Sequence, residues 1–372
     1  MLASKGERVK IISADSHVIE PPTLWTEYVD PEFRDRAPQL VHRDDTDALV
    51  CDELELPPLS LFAGCLRSDD QVRVTGRWDE DIPRAAYDPA VRRETVEADG
   101  VSGEVLFPTV GMSFYMLDDV KLRAALFAAY NRWLAEFCAT DAAFYRGLAV
   151  LDVEDVVAAA TELEQAHERG LRGAVVPLFA GVDERYTAPR YEQLWATAAA
   201  LRMPVNLHRA TSRDKNAVWT VGTLADRILR PPTEAQRVIL DLIFSGVFDR
   251  YPDLVVVSAE NEAGWAGHMV ETADYWWTRN RHILNDPNLI RCEHAPSYYV
   301  KRNVGVTFMR DRTAVLSHPV TGVEMLMFGT DFLHHVSTWP NSVASISSQT
   351  IDVPSDVTDA ITWGNVTRLY DF

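Results

Sequence analysis

Short apolar runs rich in β-branched residues recur along the chain at residues 9–14, 103–108, 147–151, 174–178, 204–207, 254–259, 304–308 and 325–329. Several are unbroken Val/Leu/Ile stretches rather than alternations, which is the pattern of parallel strands covered on both faces. Between them the spacing changes to that of helices. Over residues 121–140, Leu122, Ala125, Leu126, Ala129, Trp133 and Phe137 fall on one stripe. Residues 155–170 close on Glu168-Arg-Gly170, a helix stop. Residues 189–201 and 233–244 complete further strand–helix units. Eight such units predict an α/β fold, a (β/α)8 TIM barrel, which needs about 250 residues before insertions. Most of the excess lies at 20–91, a stretch rich in Pro, Asp, Glu and Arg that holds Pro57-Pro58. It reads as an insertion after strand one, folded over the barrel mouth, within a single barrel spanning 1–372. A second insertion is read at 209–232, also after a strand end.

Composition narrows the partners. The 372 residues carry 36 basic and 55 acidic side chains, a net charge of -19. Nucleic acid and anionic membranes are polyanions and make poor partners for such a surface. No apolar stretch approaches the roughly 20 residues of a membrane span, and residues 1–10 lack the apolar core of a signal peptide. The cysteines Cys51, Cys65, Cys138 and Cys292 form no Cys-x-x-Cys pair, which suits a reducing compartment. A soluble cytoplasmic protein acting on a small molecule is expected. Tyr275-Trp276-Trp277 cannot all face inward on one helix, so a homo-oligomer contact is expected there.

In a (β/α)8 barrel the site is built from strand C-termini and the loops after them. Asp15 and His17 end strand one and, two residues apart on a strand, point to the same face. His208 ends strand five. Glu260 and Glu262 follow strand six, and Asp331, His334 and His335 follow strand eight. Four strand ends bearing ligand-type side chains predict a metal site. The remaining histidines, His42, His167, His268, His282, His294 and His318, lie in helices or loops and read as structural or surface residues.

Several segments together resemble the amidohydrolase superfamily, in particular its amidohydrolase-2, or aminocarboxymuconate-semialdehyde-decarboxylase-like, group. They are Ser13-Ala-Asp-Ser-His-Val-Ile-Glu-Pro21, Tyr130-Asn-Arg-Trp-Leu-Ala-Glu-Phe137, Ser245-Gly-Val-Phe-Asp-Arg-Tyr-Pro-Asp-Leu254, Gly329-Thr-Asp-Phe-Leu-His334 and Trp363-Gly-Asn-Val-Thr-Arg-Leu-Tyr370. The resemblance implies ligands at Asp15, His17, His208 and Asp331. Two positions depart from the family pattern. The first-strand pair is Asp-x-His rather than His-x-His, and Glu260 stands where a sixth-strand His is usual. Strand four offers no Lys to bridge two metals.

These carboxylates resemble a branch of TIM-barrel non-haem di-iron monooxygenases, the kind found in platensimycin and platencin biosynthesis. That resemblance implies a ligand set of Asp15, His17, His208, Glu260, Asp331 and His334, with Glu262 and His335 in reserve. It also implies two iron ions, O2 as oxidant, and an apolar substrate, terpenoid-like or linked to coenzyme A. No Gly-x-Gly-x-x-Gly fingerprint supplies a dinucleotide site, so an external electron donor is expected. Aromatic residues (Phe114, Tyr115, Trp219, Trp265, Phe332, Trp339) are read as packing the lid and helices or as a pocket lining, and Arg209, Arg213 and Lys215 as a solvated loop with paired charges or as a contact for the phosphates of coenzyme A. The alternative is a zinc- or manganese-dependent hydrolase or non-oxidative decarboxylase, as in the wider family. A third is a metal-binding scaffold without catalysis.

Overall fold

The computed structural model describes residues 9–56, 59–68, 70–181, 184–213, 222–283 and 289–372. Eight parallel strands occupy the predicted places: β1 (Ile11–His17), β2 (Val101–Phe107), β3 in two pieces (Tyr145–Gly147 and Ala149–Val150), β4 (Ala174–Phe179), β5 (Val205–Ser212), β6 (Val256–Ala259), β7 (Val304–Phe308) and β8 (Leu326–Phe328). β1, β2 and the first piece of β3 pair in that order, and the second piece of β3 continues through β4 to β8. The two halves meet at Leu148, whose N–H donates to Leu106 O at 3.1 Å. They close beyond β8, where Ser16 bridges Phe332 and Asp331 N–H donates to Asp15 O at 2.8 Å. The result is a (β/α)8 barrel.

Side chains from alternate strand positions fill its interior. Ile12, Ala14, Val105, Phe107, Leu148, Val175, Val257, Ala259 and Met327 form one cluster, joined by Val366 and Tyr370 of the C-terminal helix. Tyr370 reaches Asn206 Oδ1 with its hydroxyl at 2.7 Å. A larger core lies between the sheet and the outer helices.

Several helices start where a carboxylate satisfies their first amides. Asp119 caps Val120–Ala139 and Asp155 caps Val156–Glu168. The helix after β5 departs from expectation. It runs over Leu224–Phe244 and carries Pro231 and Pro232 inside it, starting from a reciprocal Thr223–Asp226 capping box. The expected helix begins only at 233, after the Pro pair, and 224–232 falls within the expected insertion. The capping box nine residues upstream decides the start instead.

Between β1 and β2 the chain forms a small antiparallel sheet (Gln39–His42, Asp47–Cys51, Leu54–Glu55), short helical turns, and the crossover helix Pro89–Ala98. Part of this segment lies against the loop after β8. Phe62 packs by the His334 ring at 6.0 Å, and Cys65 N–H donates to Leu333 O at 3.2 Å. Among the described residues no helix is long and apolar enough to cross a membrane.

Candidate metal centre

Strand register sets the site. His208 pairs with Ala259 on β6 and with Pro177 on β4, so its side chain enters the mouth beside the turn that begins at Glu260. His17 pairs with Phe107. Gly329 lets the end of β8 approach β1 closely, since a Cβ there would lie 2.6 Å from Asp15 Cβ. Glu260 and Asp331 both take the left-handed conformation, with φ of 60° and 51°. Such strain in non-glycine residues costs about 1 kcal/mol or more each and gathers at functional sites.

The side chains converge. His17 Nε2 lies 3.6 Å from Asp15 Oδ1 and 3.4 Å from Asp331 Oδ1. His208 Nε2 lies 3.4 Å from Glu260 Oε2 and 3.9 Å from Asp15 Oδ1. His334 Nδ1 is 2.9 Å from Asp331 Oδ1, and its ring stacks on His17 with centroids 4.0 Å apart. These contacts gather two overlapping donor sets. One is His17, Glu260, Asp331 and His334; the other is Asp15, His17 and His208.

The donors fit a bound cation. Among the described residues, Asp15 Oδ1, His17 Nε2, both Asp331 carboxylate oxygens and His334 Nε2 are buried without a hydrogen-bond partner. Buried polar atoms are normally satisfied, and a cation held by either set would satisfy several of these at once. Electrostatics agree. Burial pushes the Asp15 and Asp331 carboxyls up and the His17 and His334 imidazoles down. It takes Glu260 up to about 8 and His208 down to about 3. Without a cation, every group is driven toward its neutral form.

His17 limits how many ions the sets hold. Its Nδ1 is 2.8 Å from Pro108 O. A carbonyl only accepts, so Nδ1 carries the proton and Nε2 keeps one lone pair. Through His17, the two sets cannot be filled at once.

The reserve positions lie outside the cluster. Glu262 turns toward the loop after β7, accepting from Met309 N–H at 3.2 Å, and His335 is exposed. Several aromatic residues read as pocket lining are packing residues. Phe114 and Tyr115 are fully buried, with the Tyr115 hydroxyl donating to Val175 O at 2.9 Å. Phe332 lies under the Arg92 guanidinium at 5.1 Å. Arg213 is committed to Glu154 and Tyr115 O. Lys215 and Trp219 lie outside the described residues.

A family model described as amidohydrolase, Amidohydro_2, matches residues 74–372. The chain belongs to this family. It is 31% identical over 242 residues to the γ-resorcylate decarboxylase of Rhodococcus jostii, covering 58% of this chain and 70% of that one. It is 28% identical over 268 residues to the γ-resorcylate decarboxylase of Polaromonas sp., covering 64% and 74%. A dihydroxybenzoic acid decarboxylase from Polaromonas sp., solved with manganese and the inhibitor 2-nitroresorcinol, shares the fold with a TM-score of 0.65 and 19% identity, over 97% of each chain.

These relatives overturn the expectation of an O2-dependent di-iron monooxygenase and its assignment as an oxidoreductase. The two γ-resorcylate relatives are decarboxylases. The error lay in reading Asp15 and Glu260 as marks of oxygen chemistry. Mixed carboxylate and imidazole donors suit manganese equally well.

Sequence reasoning missed the residues that hold these donors in place. Thr307 and Glu20 left a signal, since each is a polar residue inside an apolar run; Pro108 acts through its carbonyl and left none. Glu20 is fully buried and accepts from the N–H groups of Thr109, Val110 and Gly111 at 3.3, 2.9 and 2.8 Å. It therefore clamps the turn that presents Pro108 O to His17. Burial pushes its carboxyl from an ordinary 4.5 up to about 7, against the pull of those amides. A raised folded value means that the protonated form favours folding. That contribution is complete below the ordinary glutamate range and is lost as pH rises through 7. The stability of wild type minus that of Glu20→Gln should fall by roughly 3 kcal/mol across this window. Urea melts at successive pH values check it; a difference that does not change with pH would show a Glu20 that stays ionised.

Proposed function

We propose that this protein is a metal-dependent, non-oxidative decarboxylase of an aromatic carboxylic acid of the hydroxybenzoate type, working with one divalent cation, manganese first among them. The observation that carries this reading is the cluster of buried carboxylate and imidazole groups, several of their atoms without a hydrogen-bond partner among the described residues, at the mouth of an amidohydrolase barrel. The decarboxylase relatives and the manganese in the Polaromonas structure support the choice of reaction and ion.

Asp15, His17, His208 and Asp331 would hold the cation. When bound, it supplies a Lewis-acid anchor for the substrate's oxygen atoms. The reaction replaces the ring carboxylate with a proton and releases CO2, so it needs a proton donor and no electron donor. Glu260 is placed for that role. Its side chain is 15% exposed, whereas those of Asp15 and Asp331 are 2% and 0% exposed, so it can exchange protons with solvent. His17, with Nδ1 tied to Pro108 O, holds its ring in a fixed orientation. The Phe62 segment covers His334 and helps exclude water from that side.

Manganese-loaded protein incubated without O2 with carboxyl-13C-labelled 2,6-dihydroxybenzoate and related hydroxybenzoates should release labelled CO2. Glu260→Gln should retain its metal and lose about 10²- to 10⁴-fold in rate, the usual share of a general acid. No release from any of these acids would sink the reading.

A further inference from the structure

Thr307 lies inside β7 and is 1% exposed. It pairs with Met327 of β8, which with Val257 and Ala259 belongs to the apolar cluster of the barrel interior. The Thr307 hydroxyl does two things. It donates to Asp15 Oδ2 at 3.0 Å, and it accepts from the Glu260 N–H at 2.9 Å. One atom thus joins the ends of β1, β6 and β7 around the donor cluster.

Each bond has a consequence for the cluster. The bond to Asp15 engages Oδ2 and leaves Oδ1 facing the His17 and His208 nitrogens, at 3.6 and 3.9 Å. The carboxylate is therefore presented through one oxygen. The bond from Glu260 satisfies the amide at the point where the backbone turns left-handed, with φ of 60°. Without an acceptor, that N–H would lose the bond that helps hold the strained turn. The turn aims Glu260 Oε2 at His208 Nε2, 3.4 Å away.

We infer that Thr307 is a positioning residue for the metal centre, fixing which oxygen Asp15 offers and where Glu260 stands. The inference rests on the metal-binding reading given above. A carboxylate ligand whose second oxygen is held by a hydrogen bond binds better than one free to rotate, and removing such outer partners typically costs about 10- to 100-fold in metal affinity.

Thr307→Val preserves shape and removes the hydroxyl, and Thr307→Ser keeps the hydroxyl and removes the methyl group. Equilibrium dialysis against Mn2+ alone, on metal-stripped full-length protein, measures affinity directly. The valine variant should bind about 10- to 100-fold more weakly than wild type. The serine variant should stay within about threefold of wild type, because the outer hydrogen bond is retained. A merely structural role would lower the melting temperature of both metal-free variants and leave their Mn2+ affinity unchanged, which would overturn the inference while the metal site stands. Wild-type protein that binds no Mn2+ would instead sink the metal reading and this inference with it. Should the valine variant not fold, Thr307→Ala is read by the same criteria.

Discussion

Asp331→Ala should abolish manganese retention and lower CO2 release by about three orders of magnitude, since several kcal/mol of transition-state stabilisation convert at about 1.36 kcal/mol per tenfold in rate. Asp331 is completely buried, and neither of its carboxylate oxygens has a hydrogen-bond partner among the described residues. It approaches His17 Nε2 at 3.4 Å and His334 Nδ1 at 2.9 Å. It also occupies a left-handed backbone position, with φ of 51°. These features give it no evident stabilising role without a cation. The metal-free protein should show the reverse effect. Burial, and then the Asp15 carboxylate, push Asp331 well above the usual carboxylate range. A raised folded value means stability is lost as pH rises, so at neutral and higher pH this side chain opposes folding. Metal-stripped Asp331→Ala should melt no lower than metal-stripped wild type above pH 7. Added Mn2+ should raise the melting temperature of wild type only. Thermal melts with and without Mn2+, beside the CO2 assay, check both halves; an equal Mn2+ response in the two proteins would contradict the assignment.

Arg92→Ala should destabilise the fold by about 3–5 kcal/mol, the cost of breaking a buried ion pair and stranding one charge. Arg92 and Glu104 are both fully buried. The guanidinium meets the carboxylate as a fork, Nε to Oε2 at 2.7 Å and Nη2 to Oε1 at 2.8 Å. Its Nη1 donates to His17 O at 2.7 Å, and its plane lies over the Phe332 ring, next to Asp331. The pair thus pins the ends of β1 and of the β8 loop, where three of the proposed metal ligands stand. Replacing both charges, as in Arg92→Met with Glu104→Leu, should recover most of the loss, because a buried pair is close to neutral against apolar packing. Urea unfolding of the two variants checks this. A single variant within 1 kcal/mol of wild type would mean that water reaches Glu104.

The barrel was legible because its strands are buried on both faces and so read as continuous apolar runs. β7 was placed to the residue, and β5 only at its start, since the strand continues past His208 to Ser212 through Arg209 and Thr211, which do not look like strand interior. The convergence of Asp15, His17, His208, Glu260, Asp331 and His334 was legible for a related reason: each stands at or just beyond a strand C-terminus, and barrel geometry brings those ends together. The supporting contacts were not legible. Arg92 acts from a helix, Pro108 through a carbonyl, and Thr307 through a hydroxyl that joins three strands distant in sequence. Such contacts depend on register and rotamer, which periodicity does not encode. The reaction was misread for a further reason: donor chemistry narrows the ion more than it narrows what the ion is used for.

Non-oxidative decarboxylation at the metal cluster is tested most directly by running the reaction in D2O without O2 and following the ring position that loses its carboxylate. Manganese-loaded protein and a hydroxybenzoate should give CO2 and arene in equal amounts, with one deuterium at the vacated carbon, and Asp331→Ala should give neither above background. CO2 release that requires O2 and yields a ring hydroxyl at that carbon would contradict the account.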